Sequence, residues 1–214
     1  MGRYAHITGW GKYLPQRILT NTELAKTVDT TDEWIRERTG IGERRIASAK
    51  ETTAMMAIHA AREAIEVADL DPQKIDLIIV ATATPEYTFP ATACLVQDAL
   101  GASHAGAFDL SAGCSGFGYA LATAASWVRS GMHNTVLVIG SETLSQFLDW
   151  DDRATCVLFG DGAGAVVLQG KDQPGGVLAS VLGSDGSGGE LLIIPGGGSK
   201  HPASAETIAT KLHV

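Results

Sequence analysis

Two apolar runs constrain this chain more than any other feature. IDLIIVATAT (75–84) and NTVLVIGSET (134–143) are almost free of charged side chains over strand-length stretches, which means that both faces of each strand must be covered. Strands of that kind lie inside α/β sheets, and helical patterns flank them here. Ala54, Ala57, Ala61, Ala64 and Ala68 recur at spacings of 3 and 4, predicting a close-packed helix over Thr53–Ala68. A second helix is expected from about Ala91 to Leu100. In FGYALATAASWVRSG, Phe117, Leu121, Ala124 and Val128 share one helical face and Gly131 is a plausible stop. Tyr4–Leu14, closed by Pro15, and GAFDL (106–110) read as further strands. The fold class is α/β.

Shorter signals fill the intervals. NTELAKTV reads as a helix with Asn21 at its N-cap, and TTDEWIRERTG as one that starts at Thr31 or Asp32 and ends at Gly40. LSQFLDWDDRAT is expected to be partly helical. The glycines of CVLFGDGAGAVVLQG are followed by a β-like sequence and no Lys-Ser/Thr pair, so a strand, a tight turn and a second strand are expected rather than a phosphate loop. From Lys171 the chain becomes glycine-rich, with one strand candidate in GVLASVLGSDG. Residues 1–170 therefore read as the folded portion and 171–214 as a connecting segment.

Composition limits the partners. Sixteen Lys and Arg against 24 Asp and Glu leave a net charge of -8, which disfavours nucleic acid and anionic membranes. Cys94, Cys114 and Cys156 form no CxxC pair, no metal site is expected, and reduced thiols suit a cytoplasm. No apolar run is long enough to span a bilayer, and the chain is read as soluble and cytoplasmic.

Two places could carry chemistry. SAGCSGF sets Cys114 between glycines where a strand gives way to a helix. Unpaired backbone N–H groups and the positive end of the helix dipole favour negative charge on a sulphur there. An activated nucleophile and a small inert cysteine both fit those residues. The second place is the basic cluster Trp34, Arg36, Arg38, Arg44 and Arg45. A phosphate-bearing ligand with a flat base is one reading, and a solvated helix face with a packed Trp is the other.

Taken together and in order, DTTDEWIRERTGI, the buried run followed by FPATA, FDLSAGCSGF and DDRATCVLFGDGAGAVVL resemble the β-ketoacyl-acyl carrier protein synthase III family of the thiolase superfamily. The resemblance runs from the first residues to about Leu192 and implies the first half of a duplicated αβαβα sandwich. It implies that Cys114 takes an acyl group from a coenzyme A thioester, the substrate, with no prosthetic group. Trp34 and Arg153 match the pair that stacks the adenine, Arg38 a phosphate ligand, and Thr30 a hydroxyl near the base. Phe89 matches an aromatic that reaches across a homodimer into the partner's acyl pocket, and Leu144 and Phe159 match pocket walls. Malonyl-acyl carrier protein would be the second substrate.

The family also uses a His and an Asn from its second half to stabilise an enolate. None of His6, His59, His104, His133, His201 and His213 lies in such a string. The chain is therefore expected to be a first half, truncated or completed by a second polypeptide. A related synthase with another acyl primer, or a non-catalytic CoA-binding or dimerising fragment, are the alternatives.

Overall fold

A computed structural model describes residues 2–214. The chain runs through β1 (Tyr4–Tyr13), β2 (Arg17–Thr20), α1 (Asn21–Leu24), α2 (Asp32–Thr39), β3 (Glu43–Ile46) and α3 (Thr53–Val67). It continues through β4 (Leu77–Ala81), α4 (Thr92–Leu100), β5 (Gly106–Leu110), α5 (Gly116–Ser130) and β6 (Thr135–Thr143). The last elements are α6 (Arg153–Cys156), β7 (Asp161–Lys171) and α7 (Ala205–Ala209). These residues form two compact units.

The larger unit comprises residues 2–17, Ala47–Thr143 and Asp161–Ser180. Its five-stranded sheet has the order β1-β7-β6-β4-β5, parallel from β6 through β4 to β5 and antiparallel where β7 meets β6 and β1. Every residue of β4 is buried, as its unbroken apolar sequence requires. On one face α3 and α4 cover Ile78, Val80, Leu137 and Ile139. On the other, Ala120, Ala124 and Val128 of α5 cover Leu77, Ile79, Val136 and Val138. Helix α3 starts where Thr52 accepts a hydrogen bond from Met55 N, and its buried alanines let it lie very close to β1. A methyl group added at Gly9 of β1 would come within 2.7 Å of Ala68 Cβ, so only glycine permits that approach. Among the described residues, strand β5 is paired on one side only.

The smaller unit comprises Ile18–Ile46, Leu144–Gly160 and Val181–Val214. Its two-stranded sheet, β2 with β3, and helices α1 and α2 enclose Leu19, Leu24, Val28, Ile35, Ile46, Cys156 and Val157. Helix α2 begins at Thr31, whose hydroxyl accepts from Trp34 N, and ends at Gly40 in the left-handed conformation.

Several expectations require correction. Thr20, not Asn21, caps α1, because the Asn21 side chain is buried and bonded elsewhere. CVLF is not a strand: α6 and a turn precede β7, which takes in Gly162 and Gly164 of GDGAGA as part of one continuous strand. GVLASVLGSDG forms no strand, and most of it is exposed. The β2–β3 pair was not foreseen.

Candidate functional site

In the larger unit Cys114 is the middle residue of a single 3-10 turn, Gly113–Ser115, which links the end of β5 to α5. The first N–H groups of such a turn have no acceptor within it. The thiol is exposed. Gly113 has φ +52°, and a side chain there would meet nothing within 4 Å, so backbone conformation alone requires glycine. Gly116 lies so close to β4 that an added methyl would stand 3.3 Å from Ala81 Cβ, which seats the start of α5 against the strand end. Phe117, three residues on, packs over Gly140 and forms one wall of a shallow apolar cleft of about 400 Å³ that also includes Trp10 and Val166.

The turn sits at the carboxyl ends of the parallel strands, the usual place for a site in an α/β sheet. Two carboxylates that sequence reasoning missed hold this end together. Glu142, at the end of β6, accepts from Ala83 N (2.8 Å) and from the hydroxyls of Thr84 (2.5 Å) and Thr82 (3.4 Å). Thr82 N in turn donates to Leu110 O, tying the β4 exit to the strand that leads to Cys114. Asp109 of β5 accepts from Thr92 N and Ala93 N, both at 2.7 Å, and so caps α4, whose own N-cap residue Ala91 supplies no side-chain bond. Phe89 lies in the loop between β4 and α4 and is 84% exposed.

In the smaller unit α2 carries Trp34 and Arg38, and Arg153 opens α6. The structure brings the three together: the guanidinium carbons of Arg38 and Arg153 lie 4.4 and 4.9 Å from the Trp34 ring centroid, within cation–π range. Arg153 is steadied by a 2.9 Å bond from Nη1 to Asp29 O. The hydroxyl of Thr30 is buried without a hydrogen-bond partner. Leu144 and Phe159 are half-buried in the same unit.

The basic cluster seen in the sequence is divided by the fold. Arg36 pairs with Asp32 at 2.8 Å one turn away, and this bond, followed by one from Asn21, holds the Asp32 carboxyl below its ordinary range. Arg44 is buried and bonded to Leu19 O, Asn21 Oδ1 and Val157 O. No group of three or more His, Cys, Asp or Glu able to hold a metal occurs among the described residues, and no helix among them is long and apolar enough to cross a membrane.

A sheet covered by α3 and α4 on one side and α5 on the other, with a cysteine turn at its carboxyl edge, is the half from which thiolase-type sandwiches are built. Along almost its whole length the chain is similar to β-ketoacyl-acyl carrier protein synthases III. Residues 108–186 match the family model for 3-oxoacyl-[acyl-carrier-protein (ACP)] synthase III. The chain is 56% identical over 209 residues to β-ketoacyl-[acyl-carrier-protein] synthase III of Caldanaerobacter subterraneus subsp. tengcongensis, covering 98% of this chain and 63% of that one. The crystal structure of 3-oxoacyl-(acyl carrier protein) synthase III from Pseudomonas aeruginosa aligns with TM-score 0.84 and 40% identity over 97% of this chain and 62% of that one. The priming β-ketosynthase of the R1128 polyketide biosynthetic pathway aligns with TM-score 0.83 and 44% identity, over 87% and 56%. The chain thus spans about 63% of the length of the curated relatives it matches.

Proposed function

We propose that this chain is the acyl-accepting and nucleotide-binding part of a β-ketoacyl-acyl carrier protein synthase III, an acyltransferase that starts fatty acid synthesis in the cytoplasm. The observation that carries the reading is the Trp34 ring with two guanidinium groups on it, in an acidic protein whose exposed Cys114 stands at a helix start. Trp34 and Arg153 would stack an adenine, Arg38 would meet the phosphates, and the unpartnered Thr30 hydroxyl would bond near the base.

In the first half reaction the Cys114 thiolate attacks the thioester carbonyl of acetyl-CoA or another short acyl-CoA. A carbon–sulphur bond forms to Cys114, the backbone N–H of the turn stabilises the oxyanion, and the CoA thiolate leaves and takes up a proton. In the second, malonyl-acyl carrier protein loses CO2, and the resulting enolate carbon attacks the acyl-cysteine. That step frees the Cys114 thiolate and gives 3-oxoacyl-acyl carrier protein. The His and Asn that steady the enolate would come from the part of the relatives' length that this chain does not cover. Phe89, Leu144 and Phe159 would shape the acyl pocket, Phe89 from the neighbouring protomer of a homodimer. CoA thioesters serve as substrate, and no prosthetic group is needed.

Incubation with acetyl-CoA followed by intact-mass and peptide analysis should show one acetyl group on Cys114 and none in Cys114→Ala. Absence of the adduct, with CoA still bound, would refute the acyl-transfer reading and leave a CoA-binding fragment. The likeness to a priming polyketide ketosynthase favours a second reading, in which the primer is an acyl group other than acetyl. Competition between acetyl-CoA and other acyl-CoAs for Cys114 distinguishes the two.

A further inference from the structure

Arg44 is the one buried residue of the basic cluster, and the proposed function leaves it without a task. It is 6% exposed, and all its hydrogen-bond partners are neutral: Nη1 donates to Leu19 O (3.1 Å), and Nη2 to Asn21 Oδ1 (2.7 Å) and Val157 O (3.2 Å). Its Nε is buried without any partner. Burial pulls the guanidinium below its ordinary pKa and pushes the neighbouring Cys156 thiol up. A buried cation without a carboxylate beside it is an expensive device, and an apolar residue of similar size often serves stability as well or better. Its retention calls for a reason other than stability.

The reason lies in what its three acceptors hold. Val157 follows α6 directly, so the bond to its carbonyl fixes the element that opens with Arg153. Asn21, oriented by Arg44, donates in turn to Asp32 Oδ1 (2.8 Å) at the start of α2 and to Ile41 O (2.7 Å) just beyond its end. The helix that carries Trp34 and Arg38 is thus pinned at both termini, and the helix that carries Arg153 at its exit, through one planar cation. A Lys ammonium, a point charge on a flexible stem, lacks the rigid planar fork with which the guanidinium reaches all three.

We propose that Arg44 is a positioning residue for nucleotide capture: from the protein interior it holds in place the two elements that carry Trp34 and Arg153. This inference rests on the CoA-binding reading above, and the test separates the two. Binding of adenosine 3′,5′-bisphosphate, the nucleotide end of CoA, is measured by calorimetry for the wild type, Trp34→Ala, Arg44→Met and Arg44→Lys. Cys114 acetylation is timed in parallel with acetyl-pantetheine, which lacks the nucleotide.

Arg44→Met should weaken nucleotide binding about tenfold, equivalent to roughly 1.4 kcal/mol, with Arg44→Lys in between and acetylation from acetyl-pantetheine unchanged. Wild-type nucleotide affinity in Arg44→Met, or a parallel fall in both readouts that tracks a lower Tm, would overturn the positioning role. If Arg44→Met fails to fold, Arg44→Lys decides: wild-type affinity in that variant overturns the role too. If Trp34→Ala binds the nucleotide as the wild type does, or the wild type does not bind it, the nucleotide-site reading fails, and the role of Arg44 fails with it.

Discussion

Replacing Asp109 offers the most direct check on how the cysteine turn is supported. Helix α4 begins at Thr92 after Ala91, which has no side-chain acceptor, so the two carboxylate oxygens of Asp109 supply what an N-cap residue normally would. Thr92 and Ala93 are fully buried, which leaves no water to replace those oxygens. Each buried donor left unsatisfied costs about 1–3 kcal/mol. Asp109→Ala orphans two, and partial relaxation of the first turn brings the expected loss to about 2–4 kcal/mol. Asp109→Asn keeps one acceptor and should lose about half as much. Urea denaturation followed by circular dichroism gives the magnitude. Hydrogen exchange of the Thr92 and Ala93 amides gives the location, with protection lost in the Ala variant. An Asp109→Ala protein within about 0.5 kcal/mol of the wild type, with those amides still protected, would refute the argument that β5 caps α4.

Three further outcomes are expected. Gly9→Ala forces α3 away from β1 and should destabilise the larger unit by about 1–3 kcal/mol, whereas Gly106→Ala, whose new methyl stands 3.4 Å from Leu77 Cδ1, should be tolerated; equal urea midpoints for the two variants would contradict this. The Asp32 carboxyl is held below its unfolded value by Arg36 and Asn21, so it contributes stability above about pH 4 that is lost as pH falls through the lower folded value. Asp32→Asn should therefore show a flatter fall in stability with acid, measured by urea titrations at stepped pH. Lys211 has φ +54° and pairs with Asp149 and Asp151 on the surface. Lys211→Gly relieves the backbone while deleting ion pairs that salt screens, so its Tm relative to wild type should rise with added salt, and a fall would count against this.

The sequence made the layered part of the fold legible and left its joints obscure. Strands β4 and β6 were readable because burial on both faces writes an unbroken apolar run, and α2 and α5 because Gly40 and Gly131 end them in the left-handed conformation. Strands β2 and β3 were not, since four residues such as ERRI carry too little pattern to be separated from a loop. The same four residues explain why Arg44 was read as part of a basic surface. Alternation along β3 turns Arg44 and Ile46 inward, and nothing local says which pair of a charged strand will face the core. Glu142 and Asp109 escaped notice for another reason: their partners lie up to 60 residues away, and only the sheet topology brings them together. Trp34, Arg38 and Arg153 could be grouped only through family resemblance, because Arg153 stands far from the other two in sequence.

The contact between Arg153 and Trp34 has a kinetic consequence. Two stacked layers need about 7 Å between the outer planes, and the guanidinium carbon lies 4.9 Å from the ring centroid. A planar ligand stacked between them, as proposed, would therefore require Arg153 to swing outward and release Asp29 O. On that proposal the protein would compete for its own ring, and observed affinity would be the intrinsic affinity scaled by the fraction of molecules already open. Association rates should level off at high ligand concentration at the rate of that opening, and Arg153→Ala, with nothing to displace, should bind at a rate that stays linear in ligand even though its complex dissociates faster.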